Sequence, residues 1–175
     1  MLQRAIFLDR DGVINQEVKY LYKIKDFYFI DGIFESCVFL QKLGYKIIIV
    51  TNQSGIARGY YSEEDYQNLT QWMLAKFKNN KISILDVLHC PHGPDSACDC
   101  RKPKPGMLLK AKTLYNIDMK NSWLIGDKEI DIKAANISGI HKTILVRSGH
   151  KINADKTNAM IVLDSIKKVN LIIEN

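Results

Sequence analysis

The chain has 175 residues, enough for one domain with a sizeable core and not comfortably enough for two. Apolar residues make up 46% and charged residues 25%, a balance that excludes disordered and fibrous classes and fits an ordinary globular protein. The net charge of +6 favours anionic partners such as phosphate esters; the lysines are spread along the chain rather than packed into one basic run, so no nucleic-acid partner is expected.

Met1-Leu2-Gln3-Arg4 leads almost at once into an apolar run and contains no signal-peptide core. No apolar stretch is long enough to span a bilayer. The expected location is therefore the cytoplasm, with no membrane partner. Ala5–Leu8 is predicted as the first strand, and it ends in Asp9-Arg10-Asp11-Gly12. Side chains alternate along a strand, so Asp9 and Asp11 are expected on the same side as the strand runs out. Two carboxylates there form a hard oxygen site for Mg²⁺, and they can also supply a nucleophile beside an acid/base.

Ile33, Cys37, Val38 and Leu40 share one face of a predicted helix that ends near Gly44. Lys46–Val50 is a β-branched run that fits a strand buried on both faces of a parallel sheet. It ends in Thr51-Asn52-Gln53-Ser54-Gly55, where hydroxyls, amides and backbone N–H groups gather as they would around an anion. Ser62 is expected to cap a helix through about Lys78, with Glu63, Glu64 and Asp65 in its first turn.

Asp86–His89 reads as the third strand. After it come Cys90-Pro91-His92 and then Cys98-Asp99-Cys100. Three sulfurs and one imidazole in a single loop suit a tetrahedral, structural Zn²⁺. Cys37, on an apolar helix face, reads as a core residue. His89 has the wrong phase for a fifth ligand, and His141 and His150 are expected at the surface without partners.

The same loop continues into Arg101-Lys102-Pro103-Lys104-Pro105-Gly106-Met107. Two prolines stiffen it, so that Lys102 can be a fixed phosphate ligand and Arg101 a bidentate one. A helix is predicted over Gly106–Tyr115, then a strand over Ser122–Ile125 that runs into Gly126-Asp127-Lys128-Glu129-Ile130-Asp131. Gly126 would let backbone approach a ligand closely. Asp127 is expected to face Asp9 across neighbouring strand ends and complete the Mg²⁺ site, while Asp131 serves the first turn of the next helix or orients its neighbours. Thr143–Val146 and Met160–Leu163 complete the strands, and the tail from Ser165 is a weak amphipathic helix. Strands separated by helices at this spacing predict a single α/β domain over residues 1–175, with a doubly wound, mainly parallel sheet whose ligands bind at the carboxyl ends of the strands.

Asp9 and Asp11, Thr51, Lys102 and Asp127 stand in the order of the four motifs of the haloacid dehalogenase-like phosphohydrolases, which the chain resembles. Residues 5–12 (AIFLDRDG), 29–32 (FIDG), 51–59 (TNQSGIARG) and 100–107 (CRKPKPGM) are similar to the heptose-bisphosphate phosphatases of that superfamily over essentially the whole length. Val13 departs from the pattern, Thr being common there. The resemblance implies a Rossmann-type fold with no separate cap and a Mg²⁺-dependent phosphomonoester hydrolase. Asp9 would be the nucleophile and Asp11 the acid/base. Mg²⁺ would lie on Asp9, the Asp11 carbonyl and Asp127, and Zn²⁺ on Cys90, His92, Cys98 and Cys100. Thr51 and Lys102 would hold the transferring phosphoryl group, with Arg10, Asn52, Gln53, Ser54 and Lys128 around it. Glu17, Val18, Lys19 and Tyr20 would touch the sugar, and Arg101 would recognise its far end.

The implied partner is a heptose bisphosphate cleaved at C7, on the way to nucleotide-activated heptose for surface polysaccharide, and the implied state is a monomer. Histidinol-phosphate phosphatases share the motifs and a similar zinc loop, and remain an alternative. A non-catalytic, zinc-stabilised binding module is the alternative from another class, although such a module has no need of a second carboxylate two residues after the first.

Overall fold

A computed structural model describes residues 1–174. Six strands, β1 (Ala5–Leu8), β2 (Lys46–Asn52), β3 (Ile84–Cys90), β4 (Trp123–Gly126), β5 (Lys142–Val146) and β6 (Ile161–Leu163), form one sheet in the order β3-β2-β1-β4-β5-β6. Every pair is parallel. Four helices connect them: α1 (Ile33–Lys42), α2 (Glu63–Asn79), α3 (Gly106–Tyr115) and α4 (Glu129–Ser138).

The pleat sorts the central strands between two cores. Ile6, Leu8, Ile47 and Ile49 pack with Ile33, Cys37 and Leu40 of α1 and with Leu69, Met73 and Phe77 of α2. The intervening Ala5, Phe7, Ile48 and Val50 pack on the other face with Met107, Leu108 and Ala111 of α3 and with Ile132, Ala134 and Ala135 of α4. This two-sided burial is why β1 and β2 read as unbroken apolar runs. None of the described helices is long and apolar enough to cross a membrane.

α2 begins as its sequence predicts. Ser62 Oγ accepts the Asp65 N–H at 3.0 Å, and Asp65 Oδ2 accepts the Ser62 N–H at 2.8 Å, a reciprocal capping box. The tail differs from expectation. Ile166–Leu171 is a 3₁₀ turn rather than an amphipathic α-helix. Its two buried residues, Ile166 and Val169, are three apart, the repeat of a 3₁₀ helix.

The strand order reverses direction between β1 and β4: the chain steps outward from β1 to β2 and β3, then returns to the other side of β1. At such a switch point the connections diverge and leave a crevice at the carboxyl ends of the two strands. Residues 9–32 between β1 and α1 form a loop with one 3₁₀ turn at Ile24–Asp26, and no domain is inserted there.

Candidate active site

Asp9 leaves β1 at this switch point, its N–H donating to Ile125 O of β4 at 3.0 Å. Lys102 Nζ lies 2.8 Å from Asp9 Oδ1, 2.6 Å from Asp131 Oδ1 and 2.8 Å from Val50 O. The ammonium thus ties β1, β2 and the start of α4 together in a buried knot. Burial works against its charge, but Asp131 and Asp9 together outweigh that and hold its proton more firmly than usual. Asp9 is pushed the other way. Burial raises its carboxyl to about 6, Lys102 offsets part of this, and the like charges of Asp131 and Asp11 add to it.

Asp11 is held differently. Arg10 reaches both of its oxygens at 3.0–3.2 Å, Gln53 Nε2 donates to Oδ2 at 3.1 Å and Asn15 Nδ2 to Oδ1 at 3.0 Å. Gln53 is fixed in turn: Nε2 also donates to Thr51 Oγ1 at 2.9 Å, and Tyr61 OH donates to its Oε1 at 2.6 Å. The first strand end is thereby locked to the second through one amide.

These groups line a single cleft of about 220 Å³. Asp9, Arg10, Asp11, Thr51, Asn52, Gln53, Ser54, Lys102 and Lys128 line it together with Glu17, Val18, Lys19, Tyr20 and Arg101. Asp127 is completely buried beside Asp9. Donor oxygens of Asp9, Asp127 and Asp131 lie within 4.8 Å of one another.

A HAD-hydrolase-like family model matches residues 99–169. A D-glycero-beta-D-manno-heptose-1,7-bisphosphate 7-phosphatase of Vibrio cholerae is 48% identical over 97% of this chain and 95% of its own. A D-glycero-alpha-D-manno-heptose-1,7-bisphosphate 7-phosphatase of Campylobacter jejuni is 52% identical over 86% of this chain and 87% of its own. The chain belongs to the D-glycero-D-manno-heptose-1,7-bisphosphate 7-phosphatase family. A crystal structure of the D,D-heptose 1,7-bisphosphate phosphatase of B. bronchiseptica, complexed with magnesium and phosphate, superposes with a TM-score of 0.83 at 27% identity, covering 95% of this chain and 96% of that one. As a member of this family the chain is a phosphoric monoester hydrolase.

In this heptose-bisphosphate phosphatase family member, Cys90, His92, Cys98 and Cys100 converge at the end of β3. His92 Nδ1 is 3.5 Å from Cys90 Sγ and 3.3 Å from Cys100 Sγ, and Cys90 Sγ is 3.8 Å from Cys98 Sγ. The loop leads directly to Arg101, whose Nη1 donates back to His92 O at 3.1 Å. His89 is not part of it and pairs with Glu63 at 3.0 Å.

Three sequence expectations are corrected. His150 is not a partnerless surface residue: its Nδ1 lies 2.6 Å from Asp127 Oδ2 and its Nε2 3.8 Å from Glu17 Oε1. Spacing could not show this contact, because 23 residues separate His150 from Asp127. The available signal was Arg147-Ser148-Gly149-His150, a polar, glycine-containing stretch at a strand's carboxyl end like those after β1, β2 and β4. Gly126 makes room for protein rather than ligand, since a Cβ there would fall 2.4 Å from Asp131 Cβ. Asn52 spends its side-chain amide on the Lys102 main chain, accepting its N–H at 3.0 Å and donating to its carbonyl at 3.1 Å. Asp131 does what the sequence suggested and more: besides pairing with Lys102, it accepts the Lys128 N–H at 3.0 Å at the start of α4.

Proposed function

We propose that this enzyme removes the C7 phosphate of D-glycero-D-manno-heptose 1,7-bisphosphate through a phosphorylated Asp9, in the cytoplasmic supply of nucleotide-activated heptose for surface polysaccharide. The observation that carries this reading is Asp9 on the floor of the cleft, paired with Lys102, with Thr51 and Asp11 beside it. A carboxylate oxygen of Asp9 attacks phosphorus in line, and the bond from phosphorus to the C7 oxygen breaks. Asp11 gives the departing oxygen its proton. The resulting Asp11 carboxylate then takes a proton from a water, which attacks the acyl phosphate, releasing inorganic phosphate and restoring Asp9. Arg10, Gln53 and Asn15 determine where Asp11 stands during both half-reactions. Thr51 holds the phosphoryl oxygens and the Lys102 ammonium, anchored by Asp9, Asp131 and Val50 O, keeps positive charge beside them, so that positioning and electrostatics supply most of the rate.

The residues present fit Mg²⁺. Asp9, Asp127 and Asp131 bring three carboxylates against one ammonium, and Asp127 Oδ1 is buried with no hydrogen-bond partner among the described residues. Asp9, the Asp11 carbonyl and Asp127 would hold the ion, which offsets negative charge on the phosphoryl oxygens. The sulfur and imidazole donors of Cys90, His92, Cys98 and Cys100 fit a closed structural Zn²⁺ site. With four protein ligands such an ion would have no open position for chemistry, and it would brace the segment carrying Arg101 and Lys102.

Arg101 lines the same cleft, where its guanidinium suits the second phosphate of the substrate. Glu17, Val18, Lys19 and Tyr20 form the wall that the sugar would touch. Phosphate release from the α- and β-anomers of heptose 1,7-bisphosphate, measured beside histidinol phosphate, tests the reading. Efficient turnover of one heptose anomer is expected; preference for histidinol phosphate overturns it.

A further inference from the structure

The segment after β5 is assigned no part in the reaction above, yet it packs against the site from a fifth strand end. Ser148 Oγ donates to Gly12 O at 2.7 Å, which ties the segment to the loop after β1. Gly149 lies so close to Asp127 that a Cβ there would sit 2.1 Å from Asp127 Oδ2. His150 then places two donors on that same oxygen, its main-chain N–H at 2.9 Å and its ring Nδ1 at 2.6 Å. A carboxylate oxygen only accepts, so the ring proton resides on Nδ1 and Nε2 is turned toward Glu17 on the cleft wall.

We propose that Ser148-Gly149-His150 is a clamp for Asp127, with His150 the positioning residue that fixes one Asp127 oxygen so that the other is presented to the cation. The inference rests on the Mg²⁺ reading given above. Asp127 Oδ2 is taken up by the clamp, while Oδ1 of the same fully buried carboxylate has no hydrogen-bond partner among the described residues. A carboxylate held at one oxygen cannot swing, so its free oxygen occupies one place. Mg²⁺ demands near-ideal octahedral geometry and dehydrates reluctantly, so it is sensitive to such preorganisation. Partners that orient metal ligands typically change metal affinity or activity ten- to a hundredfold when removed.

Calorimetric titration of the full-length protein with Mg²⁺, without substrate, tests this. His150→Ala should weaken Mg²⁺ binding roughly ten- to a hundredfold. His150→Asn puts an amide donor near the place of Nδ1 and should bind much as wild type does. His150→Gln, whose donor reaches the place of Nε2, should bind as weakly as the alanine variant. Kinetics should agree: the Mg²⁺ concentration for half-maximal rate should rise in His150→Ala, while KM for the bisphosphate at saturating Mg²⁺ moves little. If wild type binds Mg²⁺ and all three variants bind it equally well, the clamp is refuted and the cation reading stands. If wild type itself takes up no Mg²⁺, the cation reading fails and the clamp with it. Should His150→Ala not fold, the Asn and Gln pair still decides, because equal affinities for those two overturn the proposal.

Discussion

The Lys102 ammonium rests 2.8 Å from the Asp9 carboxylate, and neither side chain is more than a tenth exposed. In so dry a place an unpaired charge is costly, and breaking a buried pair from one side typically destabilises by about 3–5 kcal/mol. Lys102→Met leaves Asp9 and Asp131 facing each other without a cation. Urea unfolding should show a loss of that order in metal-free protein, and hydrolysis should vanish. Adding Asp131→Asn should recover part of the stability and none of the activity. Strictly additive losses would mean that Lys102 does not hold the two carboxylates as one unit.

Asp9→Asn keeps the shape of the proposed nucleophile and removes its charge. Turnover should fall to background while circular dichroism remains that of a folded protein. A purified variant that retained a tenth of wild-type turnover would show that another group attacks phosphorus.

Arg101 should govern substrate choice. Arg101→Ala should lower kcat/KM for the bisphosphate roughly ten- to a hundredfold more than for a small monophosphate, the worth of one charge-assisted hydrogen bond of about 1.5–3 kcal/mol. Equal losses on both substrates would place Arg101 on the reacting phosphate, or in the loop structure through its bond to His92 O.

The four thiols should report on zinc. Cys37 lies at 0% exposure on α1, and burial pushes its thiol up to about 12. In native protein an alkylating reagent near neutral pH should modify none of the four at an appreciable rate. A strong chelator should expose Cys90, Cys98 and Cys100, and only a denaturant should expose Cys37. Mass spectrometry counts the adducts directly. Three ready thiols before chelation, or elemental analysis without zinc, would overturn the structural zinc site.

Much of this architecture is legible in the residues alone, for identifiable reasons. β1 and α3 begin and end where the sequence places them, because an apolar run gives way to Asp9 at one and Pro105 precedes the other. β3 starts at Ile84, two residues before the expected Asp86. It is an edge strand with half-buried residues, so its apolar signal is weak where its pairing is not. β2 runs on to Asn52 because Asn52 pairs with Cys90 across the sheet, a tie that a single strand cannot advertise. The same limit explains His150. Motifs state which residue types gather at a strand end, whereas the hydrogen bond from His150 to Asp127 depends on β4 and β5 lying side by side.

The strand order has a temporal consequence. Asp9 comes from the first strand, Lys102 follows the third, and Asp127 and Asp131 follow the fourth, yet β4 is the strand that inserts beside β1. During synthesis Asp9, the proposed nucleophile, emerges more than a hundred residues before the segment that flanks it, and until then that side of β1 is an open edge. Parallel pairing over such a separation pays its loop-closure cost before the contacts reward it. A chain arrested before β4 would contain Asp9, Asp11, Thr51 and Lys102 and still lack an assembled centre. Catalytic competence should therefore arrive late and abruptly as the chain is made, and a ribosome-bound fragment ending near Ser122 should hydrolyse nothing.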